Sequence, residues 1–200
     1  MNKMCKDVLI KSIRSIKSVM DNTRTKWFVG FGVMLGLLRD GTPPDDNDID
    51  ICVYYEQYNF KSIKAAFSIM GYAMDKVVYP DKGDVPLYSH FSHPIFPDMC
   101  MFAWYLHNGI RYHTYDYYNE KNQRLRKYRF KGIDASFIEN TVMIPIDPKR
   151  VIPGGDIVFP TKYGSCLDVW YPNWLERRKE QSHSNHIVEI KRMKDWKNIK

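Results

Sequence analysis

The pattern of apolar positions predicts an amphipathic helix near the start of the chain, followed by a short buried strand. Apolar residues recur at helical spacing between residues 4 and 20, while Lys and Arg fill the opposite face. The apolar stripe consists of Cys5, Val8, Leu9, Ile13, Ile16 and Met20. The uninterrupted apolar run at 27–29 then predicts the strand.

Glycine and proline determine the prediction for the next segment. Glycines stand at positions 30, 32 and 36, with the apolar block 33–35 between the last two. We predict a glycine turn at 30–32 that opens a short helix ending near Asp40. Pro43 and Pro44 prevent the helix from continuing, because proline lacks a backbone donor and its ring clashes with the preceding turn.

The remainder of the chain predicts one further helix, a series of strands and a last helix. Residues 48–54 alternate polar and apolar side chains, which is typical of a strand with one exposed or functional face. Residues 57–70 have helical spacing, and Thr161 is predicted to cap a helix that runs through Leu167 and Trp170. Further strands are predicted at 72–79, 87–92, 98–106, 110–118 and 141–146. This order predicts an α+β fold, with a mixed α/β sheet flanked by helices, in a single domain with a C-terminal elaboration.

Composition narrows the class of protein. The 200 residues, 44% hydrophobic and 26% charged, are typical of a soluble globular domain. Basic residues interrupt every apolar run near the N-terminus, and this pattern disfavours both a signal peptide and a membrane span there. The four cysteines form no CxxC pair, which disfavours a zinc knuckle. We predict reduced thiols and a cytoplasmic location.

Positive charge is concentrated at the C-terminus. The net charge is +7, and residues 176–200 contain eight Lys or Arg against four acids, a surplus of four. Such a surplus suits an anionic partner. We predict a basic C-terminal tail or helix over 176–200; it is interpreted as a solvated face, with contact to a membrane surface or polyanion as the alternative.

Asp48 and Asp50 carry the main chemical prediction. They lie two residues apart in the 48–54 strand, so both side chains point to the same face. Two carboxylates so placed repel each other unless a cation lies between them. Their oxygen ligands suit Mg²⁺ or Mn²⁺, which bind through one or two carboxylates together with substrate phosphates. We therefore predict two metal ligands, with a structural ion-pair network as the alternative.

A candidate phosphate-binding element precedes these acids. Gly32 and Gly36 would allow the backbone to approach phosphates, because they lack side chains, and a helix start offers free N–H groups. Arg39 would bind a pair of phosphate oxygens and neutralise charge in the transition state. The structural alternatives are tight packing at the two glycines and an ordinary cation at the helix C-terminus.

The run 46–50 has two other interpretations, a calcium-binding loop and an acidic surface turn. A calcium-binding EF-hand loop requires Gly after the third ligand and Glu at the twelfth position, where Ile51 and Gln57 stand. An acidic surface turn is disfavoured because the acids alternate with apolar residues as in a strand. Cys52 and Cys100 each follow an acid by two residues, which suggests either a metal or redox role or two small buried side chains.

The segment 28–41 together with 44–51 resembles the signature of the LicD family, which includes bacterial phosphocholine transferases and fukutin-type ribitol-phosphate transferases. Residues 98–102 resemble the later strand of that family, which begins with a third metal-associated acid. The resemblance implies that Asp98 is either a ligand or the base that accepts the proton of the acceptor hydroxyl, with an ordinary turn residue after Pro97 as the alternative. Asp46 would support the site or cap its loop. The match covers 26–175 in outline and is specific only over 32–51.

The resemblance implies a nucleotidyltransferase fold over residues 1–175. It also implies transfer of a phospho-alcohol from a CDP-activated donor to a sugar or glycan hydroxyl, with release of CMP and use of a divalent metal. The alternatives are nucleotidyl transfer, a nucleotide-sugar glycosyltransferase that uses an Asp-x-Asp motif, or a catalytically degenerate binding module. No specific nucleic-acid partner is predicted.

Overall fold

The computed structural model describes residues 6–41, 48–80, 84–118, 124–130, 132–144, 157–176 and 187–190. Over these ranges no helix is both long enough and apolar enough to cross a membrane.

Helix α1 spans Lys6–Asn22 and confirms the first predicted element. Within these residues, the stripe positions Leu9, Ile13, Ile16 and Met20 are buried. The helix ends where Arg24 adopts the left-handed conformation and the N–H of Thr25 donates to the carbonyl of Met20 at 3.0 Å. This is the hydrogen-bond pattern of a Schellman motif, which satisfies carbonyls that a helix end would otherwise leave without partners.

The strands, in chain order, are β1 Trp27–Val29, β2 Asp48–Tyr54, β3 Ala73–Val78, β4 Tyr88–Ser92, β5 Asp98–His107, β6 Ile110–Tyr112, β7 Thr114–Tyr118, β8 Arg124–Phe130, β9 Ile133–Asp134, β10 Thr141–Ile144, β11 Ile157–Pro160 and β12 Ile187–Ile190. The other helical elements are α2 Phe31–Leu35, which continues as a π-helical turn Gly36–Asp40, a 3₁₀ turn Tyr55–Gln57, α3 Phe60–Ile69, α4 Ala135–Ile138 and α5 Tyr163–Trp170.

The main sheet has the order β1-β2-β5-β4-β3, and β6 and β9 extend it from β5. β2 and β5 run parallel, whereas the other adjacent pairs are antiparallel. The predicted mixed sheet is therefore confirmed. Two smaller sheets pair β10 with β11 and β12-β8-β7.

Helices cover both faces of the main sheet. Phe67 of α3 packs on Phe91 of β4 with a ring separation of 5.4 Å, and α1 packs beside α3. Phe91 pairs with Met99 of β5. The two helices therefore lie on the face of the sheet to which the buried side chains Met99 and Met101 point. On the other face, Phe31 at the start of α2 packs on Trp170 of α5 at 4.5 Å. That second face also bears the acids of β2.

Three local predictions are corrected by the structure. Thr161 does not cap α5, because its hydroxyl donates to the carbonyl of Asn140 and Lys162 occupies the cap position. The predicted strand 110–118 is divided into β6 and β7 at His113, whose ring is fully buried. The predicted helix 57–70 begins only at Phe60, after a 3₁₀ turn.

Within the basic segment 176–200, predicted as a tail or helix, residues 187–190 form β12 and pair with β8. The domain boundary at 175 stays a prediction.

Candidate active site

The central strands β2 and β5 place four polar side chains on one face. In their parallel register Asp48 lies beside Asp98, and Asp50 lies beside Cys100. Side chains two residues apart on a strand share a face, and so do neighbours in register on adjacent strands. Ile49 and Ile51 point to the opposite face, where both are completely buried. The alternation of β2 thus separates the apolar core from the acidic face.

Asp48, Asp50 and Cys100 form a close group. Each offers one ligand atom, and these three atoms lie within 4.8 Å of one another. The carboxylates are half-buried, and the thiol is buried with 7% exposure. The Sγ of Cys100 donates to Oδ2 of Asp48 at 3.7 Å and lies 3.3 Å from the hydroxyl of Tyr88. Two carboxylates and a sulfur at such distances fit a divalent cation.

In the absence of a cation, the surroundings disfavour the ionised forms of the Cys100 thiol and of the neighbouring Tyr88 hydroxyl. Burial, followed by the negative charge of Asp50, raises the pKa of the Cys100 thiol well above its usual value. Burial is also the main cause that raises the pKa of Tyr88, and the neighbouring thiol and acids add to it. A bound divalent cation would be the largest local charge and would reverse these effects.

Asp98 shares the face but has different partners. Its Oδ1 accepts a hydrogen bond from the backbone N–H of His93 at 3.3 Å, and its Oδ2 lies 3.8 Å from Nε2 of His90. The side chain is 36% exposed, and among the described residues it is not part of the close group. His90 in turn donates through Nδ1 to Asp75, which lies in a β-bulge of β3. Asp75, His90 and Asp98 therefore form a row across three strands.

The segment before β2 contains an unusual backbone conformation. Phe31 has φ of +42°, in the left-handed region that costs energy for a residue with a side chain. Its ring is held by Phe102 at 5.0 Å and by Trp170 at 4.5 Å. The preceding N–H, of Gly30, donates to the carbonyl of Asp50 at 2.9 Å. This hydrogen bond ties the start of α2 to the acid-bearing part of β2.

Next to the acidic face, Gly30 has no room for a side chain. A Cβ at this position would lie 2.5 Å from the Sγ of Cys52, well inside ordinary contact distance. Cys52 points to the acidic face, two residues after Asp50, but packs under Gly30. Burial raises the pKa of the Cys52 thiol.

The three predicted phosphate-binding residues lie on the helical segment after Gly30. Gly32 belongs to the first turn of α2, whereas the N–H of Gly36 donates to the carbonyls of Gly32 and Val33 inside the helix. Gly36 is buried and its N–H is bonded inside the helix, so it has no free N–H to offer, and its phosphate-binding role stays a prediction. The guanidinium of Arg39 binds the carboxylate of Asp40 through Nε at 3.1 Å and through Nη2 at 2.8 Å. Phosphate binding by Arg39 would compete with this contact.

Sequence reasoning missed Asp75 and His90 as neighbours of Asp98, because only the order β3-β4-β5 brings them together. For Cys100 the sequence left open a metal or redox role or a small buried side chain, and the structure places its sulfur within the close group. Asp46 lies outside the described residues.

The architecture belongs to a known class. The chain has a nucleotidyltransferase-like fold: it is similar to the crystal structure of LnuA, a lincosamide antibiotic adenylyltransferase with lincomycin bound. The similarity covers 100% of both chains with a TM-score of 0.51, at 12% sequence identity. No protein-family model matches the chain, and no curated protein sequence matches it. The predicted fold is confirmed, whereas membership of the LicD family is not shown.

Proposed function

We propose that this chain is a metal-dependent nucleotidyltransferase, which transfers the nucleotidyl group of a nucleoside triphosphate to a hydroxyl of a small-molecule or polymer acceptor. The observation that supports it is the pair Asp48 and Asp50, whose ligand atoms lie within 4.8 Å of each other on the acidic face of β2. The fold supports the same class of reaction, because the similar structure is that of an adenylyltransferase.

In the proposed site, Asp48 and Asp50 hold Mg²⁺ or Mn²⁺. The cation, when bound, neutralises charge on the donor phosphates and on the leaving group. Gly32 and Arg39 bind and orient those phosphates. The acceptor hydroxyl attacks the α-phosphorus in line, a P–O bond forms, and the bond to the leaving pyrophosphate breaks. No covalent enzyme intermediate is required.

Asp98 is proposed as the base that accepts the proton of the attacking hydroxyl. Its 36% exposure leaves the carboxylate accessible to an acceptor, and its separation from the close group leaves it free of the cation. The alternative is a third metal ligand. Asp98→Asn distinguishes them: loss of a base lowers turnover by about 100-fold or more while Mn²⁺ affinity is retained. Loss of a ligand weakens Mn²⁺ binding itself, which calorimetry measures.

A second candidate is phospho-alcohol transfer from a CDP-activated donor to a sugar or glycan hydroxyl, with release of CMP. The feature that favours it is the LicD-like run 32–51, in which Asp48 and Asp50 lie on β2, while Gly32 lies on α2 and Gly36 on the π-helical turn that continues it. The nucleotidyltransferase-like fold disfavours a nucleotide-sugar glycosyltransferase. A degenerate binding module would not need both acids of β2 intact.

Mass spectrometry of acceptors separates these candidates. The protein is incubated with Mn²⁺, a panel of hydroxyl-bearing acceptors, and either nucleoside triphosphates or CDP-choline and CDP-ribitol. A gain of one nucleotidyl group supports the leading proposal, and a gain of a phospho-alcohol supports the second. Asp48→Asn should lower either activity by about 100-fold or more, because a metal ligand is lost. Asp84→Asn, an exposed acid outside the site, is the matched control. Activity unchanged in Asp48→Asn would refute the proposed site.

A further inference from the structure

The buried thiol within the acidic group has an unusual position for a cysteine that only fills space. Cys100 lies in register with Asp50 on the neighbouring strand, so its side chain reaches the space that the two carboxylates share. Its Sγ is one of the three atoms within 4.8 Å of one another, and its nearest polar contacts are Asp48 and Tyr88. A purely apolar environment would be the usual one for a buried cysteine.

Cys52 provides the internal comparison. It lies on the same face and next to the same acid, but its Sγ packs against Gly30, and it is absent from the close group. Both thiols are buried, so burial alone does not explain the position of Cys100. The difference between them is that only Cys100 has its sulfur directed at the carboxylates.

We propose that Cys100 supplies a sulfur ligand to the cation held by Asp48 and Asp50, so that the site prefers thiophilic divalent cations to Mg²⁺. The inference rests on the proposed metal site and refines it. Coordination forms a sulfur–metal bond, and the thiol proton leaves to solvent. A hard cation such as Mg²⁺ gains little from sulfur, whereas Co²⁺, Zn²⁺ and Cd²⁺ accept it readily.

The test uses Co²⁺ and Cd²⁺ as probes on the full chain, in the absence of nucleotide. Each should produce a sulfur-to-metal charge-transfer absorption band that Cys100→Ser abolishes and the matched variant Cys52→Ser retains. Titration should show that Cys100→Ser lowers the Cd²⁺ affinity by roughly 100-fold, because one metal ligand is lost. The Mg²⁺ affinity should change by less than about threefold, because Mg²⁺ gains little from sulfur. Cys100→Asp should shift the preference towards Mg²⁺. Circular dichroism checks that each variant is folded.

The possible outcomes separate this inference from the proposed function. If Cd²⁺ binds without a charge-transfer band, and Asp48→Asn weakens it whereas Cys100→Ser does not, the sulfur ligand is refuted and the carboxylate site stands. If a band persists in Cys100→Ser but disappears in Cys52→Ser, the wrong thiol has been assigned. If the wild-type protein binds no divalent cation, both proposals fail.

Discussion

Asp50→Asn removes one of the two paired charges of β2 while keeping the size and shape of the side chain. The ligand atoms of Asp48 and Asp50 are at most 4.8 Å apart. At an effective dielectric constant of about 20, two unit charges at that distance repel by about 3.5 kcal/mol. Both side chains are half-buried, so solvent screening reduces the repulsion to about 1–2 kcal/mol. We therefore expect the metal-free variant to be more stable than the wild type by that amount.

A double-mutant cycle tests the origin of this gain. Asp48→Asn should stabilise the metal-free protein to a similar extent, because either substitution abolishes the same repulsion. The double variant should then be no more stable than either single variant, within about 0.5 kcal/mol. Asp84→Asn is the control for removing an exposed acid, and it should change the stability by less than about 0.5 kcal/mol.

The same variants should respond differently to a cation. Mn²⁺ at about 100 times its dissociation constant should stabilise the wild type by about 2.7 kcal/mol and Asp50→Asn by much less. The assay is urea denaturation followed by tryptophan fluorescence, with chelator or with Mn²⁺. Repulsion between Asp48 and Asp50 is excluded if both single variants are less stable than the wild type in chelator, or if their effects add fully.

Two further predictions concern the packing around the site. Gly30→Ala should destabilise the fold by about 1–3 kcal/mol in urea denaturation, because its Cβ would lie 2.5 Å from the Sγ of Cys52. Adding Cys52→Ala should recover most of this loss. Simple additivity of the two substitutions would contradict the prediction. Burial lowers the pKa of His113 from 6.5 to about 4. The stability that its neutral form contributes is complete above pH 6.5 and is lost as the pH falls towards 4, by about 3 kcal/mol relative to His113→Gln. A stability difference between these two proteins that stays constant from pH 7 to pH 4 would exclude this role.

Local periodicity was sufficient for the elements that position the site. The helical stripe of α1 and the alternation of β2 each depend on neighbouring residues in the chain, so the sequence alone indicates them. The shared face of Asp48 and Asp50 follows from the same alternation. These features needed no knowledge of tertiary structure.

The parts that could not be predicted depend on contacts between distant segments. Thr161 is a residue type that often caps helices, but its hydroxyl donates a hydrogen bond to the carbonyl of Asn140 instead. The proximity of Cys100 to Asp50 requires the parallel pairing of β2 with β5. The row of Asp75, His90 and Asp98 requires the order of three strands as well as a bulge, and no spacing along the chain encodes either.

Calorimetric titration of a non-hydrolysable nucleoside triphosphate, with and without Mn²⁺, tests the proposed metal-assisted nucleotide site without knowledge of the acceptor. We expect binding that requires the cation and is unchanged in Asp84→Asn. Binding should be about 100-fold weaker in Asp50→Asn, because a metal ligand is lost. Equal binding by the wild type and Asp50→Asn, or binding that does not depend on the cation, would contradict a metal-assisted nucleotide site on β2.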